Sequence, residues 1–416
     1  MRSKLGIAIA VAMAIATMAT ADQQRVTRSN VDRVIASWPA HPRDAARKLI
    51  GEYGLPNEAT ASTLTWFNNG PWKRTVLFRD EIPHDFPKPH TDYLQQFINY
   101  RVSPEKFDSV ASYDGSVIAE RTKGEISARC DKQEMNFLAL NLANDVITGK
   151  KTIDEARKFY ADSAVAFMNG EKRTYTTGLQ FPVSNGRAGD TDRTIIPQSI
   201  LASMPPPPPS PPAATSGSLA DLLASWPSHP RDAANTLIAQ YGEPNEVTAT
   251  KLTWFNNGPW KRTIVYRDEI PHNFPKPHTD FVEQFIDYRV PTDKFSDLAR
   301  YDGSVIAERT KGEISARCDK EEMNLLALNL ANDVVNGRKS VDEARQFYAD
   351  TAVAAMKGEK PTYTTALQIS KPVQTADADI SIIPQAMTSS TTTTTTEETA
   401  AVQSATSRRH RRLRKD

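Results

Sequence analysis

The sequence is poor in cysteine, with only Cys130 and Cys318 among its 416 residues. Two cysteines cannot form the disulfide framework of a small secreted scaffold, and a chain that is 39% hydrophobic can build its cores by burial alone. Cys130 alternates with Ile126 and Ala128 on one face of a predicted strand, so we expect a buried, unreactive thiol. A nucleophilic cysteine is the alternative. A Cys130–Cys318 bridge would require the two regions to dock face to face.

Long hydrophobic runs are missing beyond residue 21, so no transmembrane segment is predicted in the mature chain. At the start, Arg2 and Lys4 precede an uncharged apolar run over residues 5–18, and Ala19-Thr20-Ala21 supplies the small residues of a cleavage site. This is the pattern of a secretory signal peptide. We therefore expect cleavage after Ala21 and a periplasmic or secreted protein.

The familiar catalytic signatures are missing as well. The sequence has no nucleophile elbow, phosphate-binding loop, dinucleotide fingerprint, zinc-protease helix or EF-hand loop. No catalytic residue is thereby identified, and neither a cofactor nor a metal is expected.

The chain as a whole has almost no net charge, but its last ten residues are strongly basic. The formal net charge of +1 includes +2 from Arg2 and Lys4 and +5 from residues 407–416, which leaves −6 on the rest of the chain. Such a basic tail attracts polyanions, here an anionic envelope component such as a lipid headgroup, glycolipid or wall polymer. A solvated tail without a fixed partner is the alternative. The cations of the tail are Arg408, Arg409, Arg411, Arg412, Arg414 and Lys415.

The main feature of the sequence is a long segment that occurs twice. Ser37-Trp38-Pro39 recurs as Ser225-Trp226-Pro227, a shift of 188, and residues 113–132 recur unchanged as 301–320. The repeated unit is long enough to be a whole domain rather than a short solenoid repeat. Five consecutive prolines at 205–209 separate the copies and favour an extended polyproline II spacer. We expect each copy to fold independently and the spacer to hold the two apart.

These features divide the chain into five parts. They are a signal peptide (1–21), a first repeat domain (29–198), a proline-rich linker (199–217), a second repeat domain (218–385), and a disordered Ser/Thr-rich and basic tail (386–416).

Local patterns within a copy predict an α+β fold, helix-rich, with a small antiparallel sheet of two hairpins. Strands are predicted at 64–67, 72–79, 116–121 and 125–130, and helices at 30–37, 42–53, 92–100, 103 onward, 132–148 and 152 onward. Asp131 and Glu134 have the spacing of a capping box, as do Thr152 and Glu155. The order of a helix, Tyr53-Gly54-Leu55-Pro56 and a hairpin resembles small α+β accessory domains of the bacterial envelope, a likeness confined to the start of each copy.

The histidines are few and patterned. His84 and His90 flank a proline-stiffened loop, with Asp92 just beyond. Two imidazoles and a carboxylate could in principle bind zinc, but the spacing matches no recognised metal motif. Histidines that hold the loop through hydrogen bonds are the simpler interpretation. The second copy has Asn273 in place of Asp85, which removes one carboxylate option there.

The turn over residues 66–74 concentrates indoles and cations, which suit a glycan or a peptide. Indoles that cover the sheet are the alternative. The candidate ligand-binding residues of the two copies are Trp66, Trp72, Lys73, Arg74, His84 and His90, and Trp254, Trp260, Lys261, Arg262, His272 and His278.

Two hypotheses of function follow. The first is an exported tandem binding or structural module of the cell envelope, of unknown ligand, whose basic tail engages an anionic surface and whose duplication serves avidity. The second is a secreted hydrolase or metal-dependent enzyme that uses the histidine loop of each copy. Convergence of the histidines with a carboxylate in a cleft would favour the second.

Overall fold

A computed structural model of the chain describes residues 26–204, 218–370 and 374–383. The predicted signal peptide, the five consecutive prolines and the basic tail lie outside these residues.

Each copy forms one six-stranded antiparallel sheet. The strand order is β1-β2-β3-β4-β6-β5 in the first copy and β11-β12-β10-β9-β8-β7 in the second. The first six strands are β1 (Glu58–Ala59), β2 (Thr63–Asn69), β3 (Trp72–His84), β4 (His90–Asn99), β5 (Val117–Glu120) and β6 (Glu125–Cys130). Their counterparts are β7 (Glu246–Val247), β8 (Lys251–Asn257), β9 (Trp260–His272), β10 (His278–Asp287), β11 (Val305–Glu308) and β12 (Glu313–Cys318).

Helices surround the two sheets, which confirms a mixed α+β class. Those of the first copy are α1 (Arg28–Ala36), α2 (Ala40–Tyr53), α3 (Phe107–Tyr113), α4 (Gln133–Ile147), α5 (Ile153–Met168), α6 (Thr174–Thr177) and α7 (Gln198–Ala202). Those of the second are α8 (Ser218–Ala224), α9 (Ser228–Tyr241), α10 (Phe295–Tyr301), α11 (Glu321–Val335) and α12 (Val341–Met356). Short 3-10 turns occupy Pro104–Lys106, Thr292–Lys294 and Thr362–Thr364.

The sheet is larger than the two predicted hairpins because residues 92–99 of the predicted helix 92–100 belong to strand β4. This strand pairs with β3 on one side and β6 on the other, and it joins the two hairpins into one sheet. Its residues are buried from Asp92 to Ile98, so the alternation that marks a half-exposed strand is missing.

The two capping predictions for the C-terminal helices had different outcomes. The capping box of Thr152 and Glu155 is confirmed at the start of α5. The one predicted for Asp131 and Glu134 is wrong, because the N-cap of α4 is Lys132, without a side-chain cap.

Two apolar clusters stabilise the first copy. One contains residues of α1, α2 and β2, with the Trp66 ring among them. The other lies under α4 and α5 and continues into the second copy without a break. Helices α3 and α10 meet at that junction, where Phe107 and Val110 line the same small apolar cavity as Phe295 and Leu298. The expectation that the copies are held apart is therefore wrong: each has one apolar cluster of its own, and they share the other.

Polar contacts across the junction come in symmetric pairs. Arg129 donates to Glu308 of the second copy at 2.7 Å, and Arg317 donates to Glu120 of the first at 2.9 Å. The pairs are equivalent under the shift of 188, so the copies are related as the subunits of a homodimer with a self-complementary interface.

The C-terminal end of each copy crosses to the other copy. We call residues 187–196 the first arm and residues 374–383 the second arm. In the first arm, the amides of Ile195 and Ile196 donate to the Pro275 carbonyl, both at about 3.0–3.1 Å. In the second, the amides of Ile382 and Ile383 donate to the Pro87 carbonyl, both at 3.0 Å. The copies thus exchange arms.

Each arm is held by its own copy where it leaves, and by the other copy where it ends. At Gly312, with a φ of +62°, an added Cβ would lie 2.1 Å from the backbone carbon of Thr375, so only glycine fits beneath the second arm. Further along this arm, Asp379 accepts from Arg309 of its own copy at 3.0 Å and from Arg157 of the other at 3.1 Å. Asp192 of the first arm is bound in the same way by Arg121 and Arg345.

Candidate functional site

The histidine loop joins two paired strands, and their register sets the positions of its side chains. His84 ends β3 and lies directly opposite His90, the first residue of β4. Asp92 follows two residues later and therefore projects from the same face of the strand as His90. The sequence signal of two histidines and a nearby carboxylate thus corresponds to one local group.

The imidazoles both approach the Asp92 carboxylate. His90 Nε2 lies 3.1 Å from Asp92 Oδ1, and His84 Nδ1 lies 3.2 Å from Asp92 Oδ2. The Nδ1 atom of His90 lies 2.8 Å from the Lys88 carbonyl oxygen, which makes it the donor and directs Nε2 toward the carboxylate. Asp92 is fully buried, and His84 is only 2% exposed.

Further polar groups complete this cluster. The Cys130 sulfur lies 3.5 Å from His90 Nε2. Ser116 donates from its hydroxyl to Asp92, and the same hydroxyl lies 3.1 Å from that of Thr310 in the second copy. The cluster is thus built from one copy and closed by the other.

The second copy repeats the geometry closely. His278 Nε2 lies 3.1 Å from Asp280 Oδ1 and 3.4 Å from the Cys318 sulfur, while His272 Nδ1 lies 3.2 Å from Asp280 Oδ2. The replacement of Asp85 by Asn273 leaves the group intact, because this position faces the arm of the other copy instead: the Asn273 amide nitrogen donates to the Thr191 hydroxyl at 2.9 Å. Asp85, the carboxylate nearest to His84 in the sequence, is therefore not a partner of His84.

The cluster perturbs its own ionisation. Burial disfavours the charged form of His90, but the Cys130 sulfur and the Asp92 carboxylate outweigh it, so that the pKa of His90 is raised. Burial opposes ionisation of Asp92 too, yet the two imidazoles hold its pKa below the usual range. Burial raises the pKa of Cys130 to about 11, so that in the absence of a metal its side chain is a thiol at neutral pH. The prediction of a buried thiol is confirmed, and both cysteines are free.

The third histidine of each copy lies elsewhere. His41 is exposed at the surface, with its Nδ1 atom 3.4 Å from a Glu81 carboxylate oxygen. His229 has the same position beside Glu269 in the second copy. Neither belongs to a buried cluster.

The indoles of the predicted binding turn are buried in both copies. Trp66 and Trp254 are 2% exposed, and their Nε1 atoms donate to the carbonyls of Gly54 and Gly242. The Trp72 ring stacks on Phe137 with 4.6 Å between the ring centroids, and Trp260 is buried likewise. These rings cover the sheet and offer no free face to a glycan or peptide.

The cations of the same turn are paired internally. Lys73 and Arg74 both bind the Glu125 carboxylate, at 2.7 and 2.9 Å. Lys261 and Arg262 bind Glu313 in the same way, at 2.8 and 3.0 Å. The candidate ligand-binding cations are therefore occupied by ion pairs between strands.

These ion pairs predict acid sensitivity. Burial opposes ionisation of Glu125, but Arg74, Lys123 and Lys73 outweigh it and hold its pKa below the usual range. A carboxyl whose pKa is lower in the folded than in the unfolded state stabilises the fold above its unfolded pKa of about 4.3, and this stabilisation is lost as the pH falls.

We expect the free energy of unfolding to decrease as the pH is lowered from about 5 to 3. In a Glu125→Gln/Glu313→Gln chain this decrease should be shallower, because two of the responsible carboxyls are gone. Urea unfolding at several pH values measures the slope, and an Asp80→Asn/Asp268→Asn chain, altered at two exposed acids, is the control. An unchanged slope in the Gln chain would contradict the assignment.

Sequence reasoning missed the contribution of Cys130 to the cluster and the role of the arms. Strand β6 pairs with β4, with Cys130 opposite Leu94, and this register is not visible in the local pattern of either strand. The arms did carry a signal: Ile195-Ile196 and Ile382-Ile383 are apolar pairs in otherwise polar stretches. Ile196 and Ile383 are both buried in the shared core.

Comparison with models of protein families, with curated proteins and with solved structures found no match for this chain. Among the described residues, no helix combines the length and the hydrophobicity required to cross a bilayer.

Proposed function

We propose that this chain is an exported, non-catalytic binding or structural module of the bacterial cell envelope, whose folded body carries a basic tail to an anionic surface. The main support for the proposal is that the polar groups of each copy already contact other groups of the folded body. Histidines, indoles and arginines that could have formed a binding face are engaged within the body, as in the pair of Arg74 with Glu125 and of Arg129 with Glu308.

The six cations between residues 408 and 415 supply the interaction feature. Arginine and lysine at this density neutralise phosphates or carboxylates and release their counterions, so binding weakens steeply as salt is added. The body, with a net charge of −6 by sequence, would not bind such a surface by itself. Localisation in the periplasm or outside the cell, after cleavage at Ala21, belongs to the same proposal.

Vesicles of phosphatidylglycerol and phosphatidylcholine test the tail directly. We expect the mature chain to sediment with them at low salt and to be released at high salt. A chain that ends at residue 406 should stay in solution. A chain in which all six cations are changed to Gln keeps the length of the tail and separates charge from bulk. Binding that survives both changes would contradict the proposal.

A metal-dependent hydrolase that uses the histidine loop is the second candidate, and the convergence of His84, His90 and Asp92 favours it. A catalytic metal needs a ligand position open to substrate. The Asp92 carboxylate is fully buried and the arm of the other copy lies over the loop. These contacts support a closed site better than a catalytic one.

A further inference from the structure

We propose that each copy holds one structural zinc ion, with His84, His90, Asp92 and Cys130 as ligands in the first copy and His272, His278, Asp280 and Cys318 in the second. The site lies in the body and is independent of the proposed role of the tail.

The candidate ligand atoms lie close together in each copy. One ligand atom each from His84, His90 and Asp92 lies within 4.8 Å of the other two, and the same holds in the second copy. Ligands at about 2.0–2.3 Å from a tetrahedral ion lie about 3.3–3.6 Å from one another. His90 Nε2 lies 3.1 Å from Asp92 Oδ1 and 3.5 Å from the Cys130 sulfur, close to this spacing. The sulfur lies outside the group of three, so the Cys130 side chain must turn toward the ion on binding.

One oxygen of the buried carboxylate has no well-aligned hydrogen bond. Asp92 Oδ1 is inaccessible to solvent, and among the described residues its contact with His90 Nε2, at 3.1 Å, is an ion pair outside hydrogen-bond geometry. Asp280 Oδ1 is in the same condition in the second copy. A buried carboxylate oxygen without a partner is costly, and a cation between it and the imidazole removes that cost.

The backbone orients one imidazole of each cluster. His90 Nδ1 lies 2.8 Å from the Lys88 carbonyl, and His278 Nδ1 lies 2.8 Å from the Lys276 carbonyl. Donation to a backbone carbonyl keeps the proton on Nδ1, so that Nε2 presents a lone pair to the cluster once a metal has displaced its proton. Metal-bound histidines are commonly held this way.

The ligand set selects the metal. Two imidazoles, a carboxylate and a thiolate are the nitrogen, oxygen and sulfur ligands that zinc takes, whereas calcium and magnesium prefer oxygen alone. On binding, the Cys130 thiol and the His90 Nε2 atom each lose a proton to solvent, and the sulfur forms the fourth bond. Four protein ligands leave no open position, which makes the ion structural.

The test uses the full mature chain, purified without a histidine tag, stripped with a chelator and titrated with Zn²⁺ or Co²⁺. We expect two equivalents of either metal per chain. Bound cobalt should show the intense visible absorption of tetrahedral coordination and a thiolate-to-cobalt charge-transfer band. Zinc should also raise the midpoint of thermal unfolding, because it binds the folded state.

Variants locate the ions. His90→Ala or His278→Ala should each reduce the stoichiometry from two to one, and the double variant should bind none. The exposed His41→Ala/His229→Ala pair is the matched control and should retain two. Cys130→Ser/Cys318→Ser should lose the charge-transfer band, and this conservative change decides the matter if a histidine variant does not fold.

A hydrogen-bonded histidine–aspartate network without metal is the outcome that overturns the proposal. It would appear as a folded wild-type chain that binds no more zinc than the His41→Ala/His229→Ala/His90→Ala/His278→Ala chain and whose unfolding midpoint does not respond to zinc. A chain without the tail should still bind two metal ions per chain, whether or not it binds vesicles. The zinc proposal and the proposed role of the tail can therefore fail separately.

Discussion

A fragment that contains residues 26–204 alone is expected to form a homodimer in which the arm of each chain closes the histidine loop of the other. In the full chain, the apolar core of the first copy continues into the second, and Ile383 of the second arm is buried against it. A lone copy would expose this surface. Since the copies are close in sequence, a second molecule of the same fragment presents nearly the surface that the missing copy provided.

One position makes this prediction asymmetric. Asp108 accepts from the Ser296 amide at 2.7 Å, and the Ser296 hydroxyl accepts from the Asp108 amide at 3.0 Å. The two residues are equivalent under the shift of 188, so a homodimer of the first copy would bring two carboxylates together. A homodimer of residues 218–383 would bring two serines together. The first fragment should therefore dimerise more weakly, and Asp108→Ser should strengthen it.

Light scattering coupled to size-exclusion chromatography, across a range of concentrations, measures the mass of each fragment. A fragment that ends at residue 186 lacks the first arm and should form a weaker dimer or aggregate. A folded, stable monomer of residues 26–204 at high concentration would refute the shared core. Equal dimerisation of the two fragments would instead refute the role given to Asp108.

The second large effect is expected at the ion pairs that cross the junction. The Arg129 side chain is fully buried, and it donates to Glu308 at 2.7 Å and to the Thr310 hydroxyl at 2.9 Å. Arg129→Ala leaves Glu308 in the junction without this partner. Removal of one member of a buried ion pair typically costs about 3–5 kcal/mol in the free energy of unfolding.

Denaturant unfolding of the full chain measures this loss. Arg317→Ala removes the symmetric partner of Glu120 and should have an effect of similar size. Arg79→Ala, which breaks an exposed pair with Asp80, is the control and should cost less than about 1 kcal/mol. A loss at Arg129 no larger than at Arg79 would show that the junction does not depend on the pair.

Much of the secondary structure was readable from local patterns, and the failure at β4 has a physical cause. Strand β6 was predicted with its observed bounds, because Gly124 precedes it and its core-facing residues alternate. In β4 the residues Leu94, Phe97 and Ile98 have helical spacing, yet they belong to a strand paired on both sides. The buried polar residues Gln95 and Gln96 lie on opposite faces of β4, so its hydrophobic residues do not follow the period of two by which a strand is recognised.

The relation between the copies could not be predicted from the sequence, because the contacts that set it join residues far apart. The pair of Arg129 and Glu308 spans 179 positions, and nothing local to either residue indicates it. The prolines at 205–209 suggested separation, but a stiff spacer fixes only the distance between its own ends. The candidate site was located through its histidines, whereas its sulfur ligand and its cover depend on sheet register and on the arms.

The exchange of arms also sets an order on folding. The segment that closes the loop of the first copy lies at residues 374–383, and it leaves the ribosome after every helix and strand of the two copies. Until then, no arm covers the His84–His90 loop. The first copy must therefore wait unfinished, so that completion of the whole body is timed by the arrival of residues 374–383.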